Sequence, residues 1–215
     1  MIYGYISGPL VLLSSRLTDN YPGIFSASYE ILLGNSFYVV NILITQPRSS
    51  RQRLIKMDRE WFRGQVVFLT GGTGNLGSCL LYKLAIQLPT AKIFVLVRGS
   101  VQRAIEAWEQ SIPEQVEEII ATCKIQFFLG DMTQPNLGLS PENISRLQNE
   151  TTVVMNAAGD IALSRDLAET IPVNCTSHLT LASLLDSFTQ LQRFLHISTT
   201  YVSSFLPNGV VKEQI

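Results

Sequence analysis

Residues 66–77 read VVFLTGGTGNLG, and this stretch decides the fold. A short apolar run leads into three glycines spaced GxxGxxG, at Gly71, Gly74 and Gly77, and an apolar-periodic segment begins at Leu76. This order predicts a strand, a tight turn and a helix. Glycines let the backbone turn sharply and approach a pyrophosphate, while a helix N-terminus offers free N–H groups and a positive dipole end. The stretch is therefore predicted to bind the phosphates of a dinucleotide.

From this stretch onward, apolar strand-like runs alternate with helical patterns, which is typical of a parallel sheet covered on both faces. Right-handed crossovers give the predicted strand order 3-2-1-4-5. Pro113 and Pro172 are expected to break the helices around them, and Asn174 is expected to be an N-cap. We predict a Rossmann-type, doubly wound α/β domain over residues 58–215, with its last strand and substrate region missing. The five predicted strands are residues 65–70, 92–97, 124–129, 152–156 and 193–198.

Composition excludes several classes of protein. The formal net charge is −1, whereas a nucleic-acid-binding protein needs a basic excess to contact phosphates. The three cysteines, Cys79, Cys123 and Cys175, show no CxxC spacing, so neither a disulfide framework nor a metal site is predicted. An intracellular location follows, either cytoplasmic or peripheral on an organelle membrane.

Residues 1–57 do not share this alternation. The segment from 24 to 45 is mostly apolar and is followed by a basic cluster, yet it contains Glu30, Asn35 and Asn41. A central acidic residue costs roughly 2.5–3.5 kcal/mol on membrane-insertion scales, so a spanning helix is not expected. We predict an apolar arm that contacts a membrane surface or packs on protein, and a poorly folded extension is an open alternative.

Ligands of an open α/β sheet bind beyond the carboxyl ends of its strands. The second strand ends at Arg98, which can accept the 2′-phosphate of NADP, although an arginine at a strand end can also be merely solvated. The third ends at Asp131, followed by Met132, where a carboxylate could accept a hydrogen bond from adenine. An aspartate at this place is also a common turn residue.

The fourth and fifth predicted strands end in small and hydroxyl side chains. Ala157, Ala158 and Gly159 leave room for a ribose and a nicotinamide, but a close-packed turn would look similar. Ser198 and Thr199 place hydroxyls where a substrate carbonyl would develop negative charge, although such residues also bond the local backbone. His196 is interpreted as a core residue, and His178 as a surface or packing residue.

The segments TGGTGNLG, VLVR, GDM, NAAG, VNCTSHLTLASLL and HISTTYVS, in this order, resemble the NAD(P)-binding domain of fatty acyl-CoA reductases and thioester reductases. These are extended short-chain dehydrogenase/reductases of the male-sterility type. The resemblance covers about residues 58–212. It implies NADPH-dependent reduction of an acyl thioester, held by coenzyme A or a carrier protein, to an aldehyde or alcohol.

The resemblance also implies roles for individual residues. Thr199 matches the catalytic serine or threonine, with Ser198 beside it, and Asn174 matches an asparagine expected to support the active site. Asn75 departs from the family, which has a large apolar residue there, but its amide could bond a phosphate. The cofactor-binding residues expected for NADP(H) are Gly71, Thr73, Gly74, Asn75, Leu76, Gly77, Arg98, Asp131, Met132, Ala157, Ala158, Gly159 and Asn174.

A second departure leaves the function open. The family's YxxxK pair is absent, since Tyr201 is followed four residues later by Phe205. The chain alone is thus expected to be catalytically incomplete, and a cofactor-binding fragment or scaffold protein is the alternative. A sugar-nucleotide epimerase is disfavoured, because those typically carry an acidic residue at the position of Arg98. The last strand is expected to present an unpaired edge that invites a partner.

Overall fold

The computed structural model describes residues 10–21, 24–33, 36–45, 59–162 and 165–198. The chain divides into two compact units. One is Leu54–Gln192, and the other combines Met1–Arg53 with Arg193–Ile215.

Three antiparallel strands lie in the amino-terminal part of the chain: β1 (Leu10–Tyr21), β2 (Ile24–Leu33) and β3 (Ser36–Thr45). They form a sheet in the order β1-β2-β3. The apolar segment 24–45 is thus divided between two strands of similar length. In the ranges that the structure describes, every helix is too short or too polar to cross a lipid bilayer.

A five-stranded sheet contains the strands predicted from the apolar runs, and their order confirms the prediction 3-2-1-4-5. The pairings resolved between the inner strands are parallel. Each predicted strand is found within two residues of its expected ends; the last one ends at His196, and Ser198 lies beyond it. The strands are β4 (Val66–Thr70), β5 (Lys92–Val97), β6 (Ile125–Leu129), β7 (Val153–Asn156) and β8 (Arg193–His196).

The helices that connect these strands are short and include two π-helical segments. A π segment, Lys83–Gln87, continues the first helix, and another, Pro172–Thr176, joins the last two. One-turn 3₁₀ segments are Arg59–Phe62, Pro113–Gln115 and Pro135–Gly138. The α-helices are α1 (Asn75–Tyr82), α2 (Val101–Ser111), α3 (Val116–Ala121), α4 (Pro141–Glu150), α5 (Leu167–Ile171) and α6 (Ser177–Leu185).

Two expectations about the last helical run were wrong. Pro172 does not end a helix, because α5, the π segment and α6 follow one another without interruption. A π turn accommodates the proline, which lacks an N–H for the regular ladder. Asn174 is inside this run rather than at its start; the N-cap is Asp166, whose carboxylate accepts the backbone N–H of Ala168.

The core lies between the sheet and its helices. Strands β4 and β5 are buried almost throughout, as expected for strands covered on both faces. Aromatic rings fill the space beside them, with Phe94 and Phe128 at a centroid distance of 4.8 Å. Leucines of the flanking helices complete the core, since Leu81, Leu84 and Leu181 are at most 1% exposed. This rigid base holds the carboxyl ends of the strands in fixed positions.

A small ion-pair network supports the start of β5. Glu150 at the end of α4 binds Lys92 on one carboxylate oxygen and Arg146 on the other. Both cations lie over the Phe94 ring, 5.4 and 5.3 Å from its centroid. The hydrogen bond from Lys92, followed by that from Arg146 and the charges of both, holds the pKa of Glu150 below its ordinary value despite desolvation.

Replacing Glu150 by glutamine is therefore expected to change the acid sensitivity of the fold. Because the pKa is lowered in the folded state, the stabilisation is present above the ordinary value of 4.5 and is lost as the pH falls through the folded-state pKa. We expect Glu150→Gln to cost about 1 kcal/mol near neutral pH and nothing in acid. Urea unfolding at both pH values measures this. Glu109→Gln, an exposed change on α2, is the control, and an equal loss at both pH values would contradict the prediction.

Candidate functional site

The glycine loop joins β4 to α1 and is built from backbone in close contact. Gly71 has φ of +69°, which disfavours other residues, and a Cβ at Gly77 would collide with the carbonyl oxygen of Gly71. The loop N–H of Gly74 bonds the Gly71 carbonyl at 3.0 Å. Gly74 is the N-cap of α1 and brings no side-chain cap, so the first N–H groups of this helix remain available to an anion.

The end of β7 lies directly against this loop. A Cβ on Gly71 would meet the backbone of Ala157 and Ala158, so the loop and the small-residue segment pack backbone to backbone. Thr70 and Asn156 are paired across β4 and β7 and are fully buried. The Thr70 hydroxyl donates to Asn156 Oδ1 at 2.6 Å, which ties the two strand ends together.

His178 belongs to the same network, although no sequence pattern predicts it there. Its Nδ1 lies 2.8 Å from Asn156 Nδ2, and the backbone N–H of Ala158 donates to Asn156 Oδ1 at 3.2 Å. His178 does more than pack, because from α6 it forms a hydrogen bond with the buried Asn156 amide at the end of β7. Asn156 itself was missed as well.

Two arginines flank a pocket beside the glycine loop. Gly99, with φ of +81°, turns the chain after Arg98, and the Ser100 hydroxyl then caps α2 by accepting the N–H of Arg103. Both guanidinium side chains are exposed. Sequence reasoning missed Arg103, although a cation in the first turn of the helix after the second strand was a usable signal. The pocket measures about 450 Å³ and is lined by Thr73, Arg98, Arg103, Ala104 and Ala107.

Asp131 follows β6, next to the end of β5 where Arg98 lies. Its Oδ1 accepts two hydrogen bonds from Thr133, from the backbone N–H and from the hydroxyl, both at 2.8 Å. Burial raises the pKa of this carboxyl, but the Thr133 bonds and the Arg98 charge outweigh it and leave the pKa below its ordinary value. Asp131 is therefore a carboxylate acceptor near neutral pH. Met132 beside it is 8% exposed and packs in the core.

Asn174 clamps the segment that follows β7. Its Oδ1 accepts the backbone N–H of Asp160 and its Nδ2 donates to the Asp160 carbonyl, both at 2.7 Å. The Asp160 carboxylate in turn binds Arg165 at 2.9 Å. These bonds fix the loop that begins at Ala157. A direct contact between Asn174 and a cofactor stays a prediction.

The role of the proposed catalytic hydroxyls stays a prediction. Ser198 is half-buried and follows β8, whereas Thr199 and Tyr201 lie outside the described residues. Asn75 and Leu76 begin α1, with Asn75 exposed and Leu76 8% exposed in the core. The carboxyl ends of β4, β5, β6 and β7 thus provide the candidate site.

These residues fit a dinucleotide phosphate. Gly71 and Gly77 leave no room for Cβ atoms on the inner side of the loop, the start of α1 is uncapped, and the two arginines lie at the end of the neighbouring strand or just after it. An anion there gains from both the free N–H groups and the helix dipole.

Comparison with known proteins agrees with this geometry. Residues 69–215 match the model of the male sterility protein family, which describes an NAD-binding domain. The chain belongs to this family. The match starts within β4 and includes the glycine loop and both arginines. A nicotinamide nucleotide is accordingly the cofactor class of the domain.

Relatives that resemble the chain include two mammalian proteins. Fatty acyl-CoA reductase 1 of Mus musculus is 31% identical over 157 residues, and fatty acyl-CoA reductase 2 of Homo sapiens is 28% identical over 149. Each alignment covers 66% of this chain and 29% of the relative. The chain therefore spans under a third of the length of these relatives.

Solved structures confirm the fold. The reductase domain of a nonribosomal peptide synthetase from Mycobacterium tuberculosis matches with a TM-score of 0.55 at 23% identity, covering 71% of this chain and 39% of that one. The terminal reductase domain of the myxalamid biosynthetic pathway gives 0.52 at 22% identity, covering 60% and 33%. Both matches concern the Rossmann-like arrangement described above.

Proposed function

We propose that this chain carries the NADPH-binding part of a reductase that converts acyl thioesters, held by coenzyme A or a carrier protein, to aldehydes or alcohols. The observation that carries the choice of cofactor is the pocket between Arg98, Arg103 and Thr73, beside an uncapped helix start. The substrate class rests on the kinship with fatty acyl-CoA reductases.

The two arginines suit a 2′-phosphate rather than a ribose hydroxyl. The Gly99 turn folds α2 back, and a Cβ at Gly99 would lie 3.2 Å from Arg103 Nη1. Arg103 thus reaches back toward the strand end that bears Arg98. Two guanidinium groups offer forked donors to a dianion, and charge-assisted bonds of this kind are about twice as strong as neutral ones.

The adenine end of the nucleotide is assigned to Asp131. Its Oδ1 is held by Thr133, so the carboxylate is fixed in orientation and ionised, which suits an exocyclic amine donor. On the other side of the loop, Ala157 and Ala158 present backbone and small side chains to the nicotinamide half. Asn156 and Asn174 keep that segment in place.

The bound cofactor would supply a hydride to the thioester carbonyl, and the chain would supply the donors that stabilise the resulting oxyanion. Thr199, with Ser198 as its neighbour, is proposed for this role. A hydroxyl can polarise a carbonyl, but general acid catalysis by a tuned tyrosine typically adds a further 10²–10⁴-fold. The residue four positions after Tyr201 is Phe205, not the lysine that would lower a tyrosine pKa.

Calorimetric titration with NADPH and an acyl-CoA reductase assay test this proposal. We expect the chain to bind NADPH in preference to NADH and to oxidise it at a near-background rate with acyl-CoA substrates. Failure to bind NADPH would refute the cofactor assignment. Turnover that disappears in Thr199→Ala would contradict catalytic incompleteness and imply that another residue of the chain, or a second subunit, supplies the acid.

A further inference from the structure

Trp108 on α2 contacts the glycine loop from the buried side. Its indole Nε1 donates to the carbonyl oxygen of Gly72 at 2.8 Å, and the side chain is 0% exposed. The ring stacks on Phe127 of β6 at a centroid distance of 5.6 Å and an interplanar angle of 26°. Nothing in the glycine pattern requires a tryptophan at this place, and the proposed function has not used it.

We propose that Trp108 is a positioning residue that orients the Thr73 amide toward the cofactor pyrophosphate. In a trans peptide unit the carbonyl and the next N–H point in opposite directions. A Gly72 carbonyl directed at the buried indole therefore turns the Thr73 N–H away from the core, toward the pocket that Thr73 lines. Among the described residues, this N–H has no hydrogen-bond partner within the protein. This inference rests on the proposed nucleotide site.

A lock of this kind matters because the Gly72–Thr73 peptide follows two consecutive glycines, Gly71 and Gly72, and glycine can populate many backbone conformations. If the Gly72–Thr73 peptide turned over, a carbonyl oxygen would face the phosphates and repel them. The Thr73 N–H would then point into the core. The Trp108 bond opposes this rotation, since turning the carbonyl out would leave a fully buried indole N–H unpaired, and such a loss is costly.

The same helix carries Arg103, five residues before Trp108, in the wall of the pocket. The tryptophan thus connects the element that bears a cation to the loop that bears the N–H donors. Loss of the Trp108 hydrogen bond should therefore weaken binding of the pyrophosphate and leave binding of the 2′-phosphate unchanged. This difference separates a positioning role from general packing.

The test compares NADPH with 2′-AMP, which has the 2′-phosphate and adenosine but no pyrophosphate. Trp108→Phe keeps an aromatic ring for Phe127 and removes the donor. We expect calorimetry to show about ten-fold weaker binding of NADPH, the factor that one lost hydrogen bond to a charged group typically brings, and 2′-AMP binding within about two-fold of the unchanged chain. Trp61→Phe is the matched control, because Trp61 is the other tryptophan of the chain and lies before β4.

A second variant covers the case in which Trp108→Phe does not fold. In the Trp61→Phe background, Trp108 is the sole tryptophan and can be replaced by β-(3-benzothienyl)alanine, whose sulfur occupies the place of the N–H. The same selective loss is expected. Unchanged NADPH affinity, or an equal loss for NADPH and 2′-AMP, would overturn the inference. If the unchanged chain binds neither 2′-AMP nor NADPH, the proposed function itself has failed.

Discussion

Gly77→Ala is expected to weaken nucleotide binding strongly and to destabilise the domain. The added Cβ would collide with the Gly71 carbonyl and contact the Cα of Gly72, both part of the loop backbone, which has nowhere to move because Gly71 already packs on Ala157. Overpacking of this kind costs about 2 kcal/mol or more, and displacement of the loop should weaken NADPH binding by roughly a hundred-fold. Calorimetry and thermal unfolding measure the two effects.

The matched control lies three residues earlier in the same motif. A Cβ at Gly74 would approach only the Gly71 carbonyl, at 3.4 Å, and the Gly74 φ of −79° suits any residue. Gly74→Ala should therefore unfold at the same temperature as the unchanged chain, whatever it does to binding. If both variants lose stability equally, the close approach of α1 to the loop does not explain the glycine at 77.

The second large effect concerns the choice between the two nicotinamide nucleotides. Arg98→Ala should weaken NADPH binding at least about ten-fold and leave NADH binding within about two-fold, because only NADPH carries the 2′-phosphate that the guanidinium is proposed to bind. Arg103→Ala should act in the same direction. Parallel titrations with both nucleotides measure the ratio directly.

Arg63→Ala controls for the loss of one positive charge. Arg63 lies before β4, at the opposite end of the strand from the loop, and its side chain pairs with the exposed Glu60. This variant should not alter the ratio of NADPH to NADH affinities. An Arg98→Ala protein that keeps its preference for NADPH would refute the role of this arginine.

Hydrophobic runs were sufficient to predict the five-stranded sheet, because strands buried on both faces are apolar at nearly every position. The order of the strands followed from the handedness of their connections. The strands β1 to β3 were not predicted, since their apolar residues do not alternate regularly with polar ones. Pro172 was misread because a π turn, which no local pattern announces, lets a helix continue past it.

Local sequence also predicted those candidate site residues that lie at a strand end. Gly71, Arg98 and Asp131 stand where β4, β5 and β6 lead into their loops. Trp108 and Asn156 could not be predicted from the sequence, because their hydrogen-bond partners are distant in sequence and depend on which buried atoms come into contact. Residues of this second kind are set by packing, which a single sequence does not encode in any short pattern.

The hydrogen bonds around Asn156 also determine which ring nitrogen of His178 carries the proton. The backbone N–H of Ala158 and the Thr70 hydroxyl both point at Oδ1, so the amide must present its NH₂ group to the imidazole. Nδ1 then acts as an acceptor, and in the neutral ring the hydrogen is on Nε2. The tautomer of a helix residue is thus fixed by a main-chain donor that it does not contact. A hydrogen on Nδ1 as well would set two donors, that N–H and the amide NH₂, against each other.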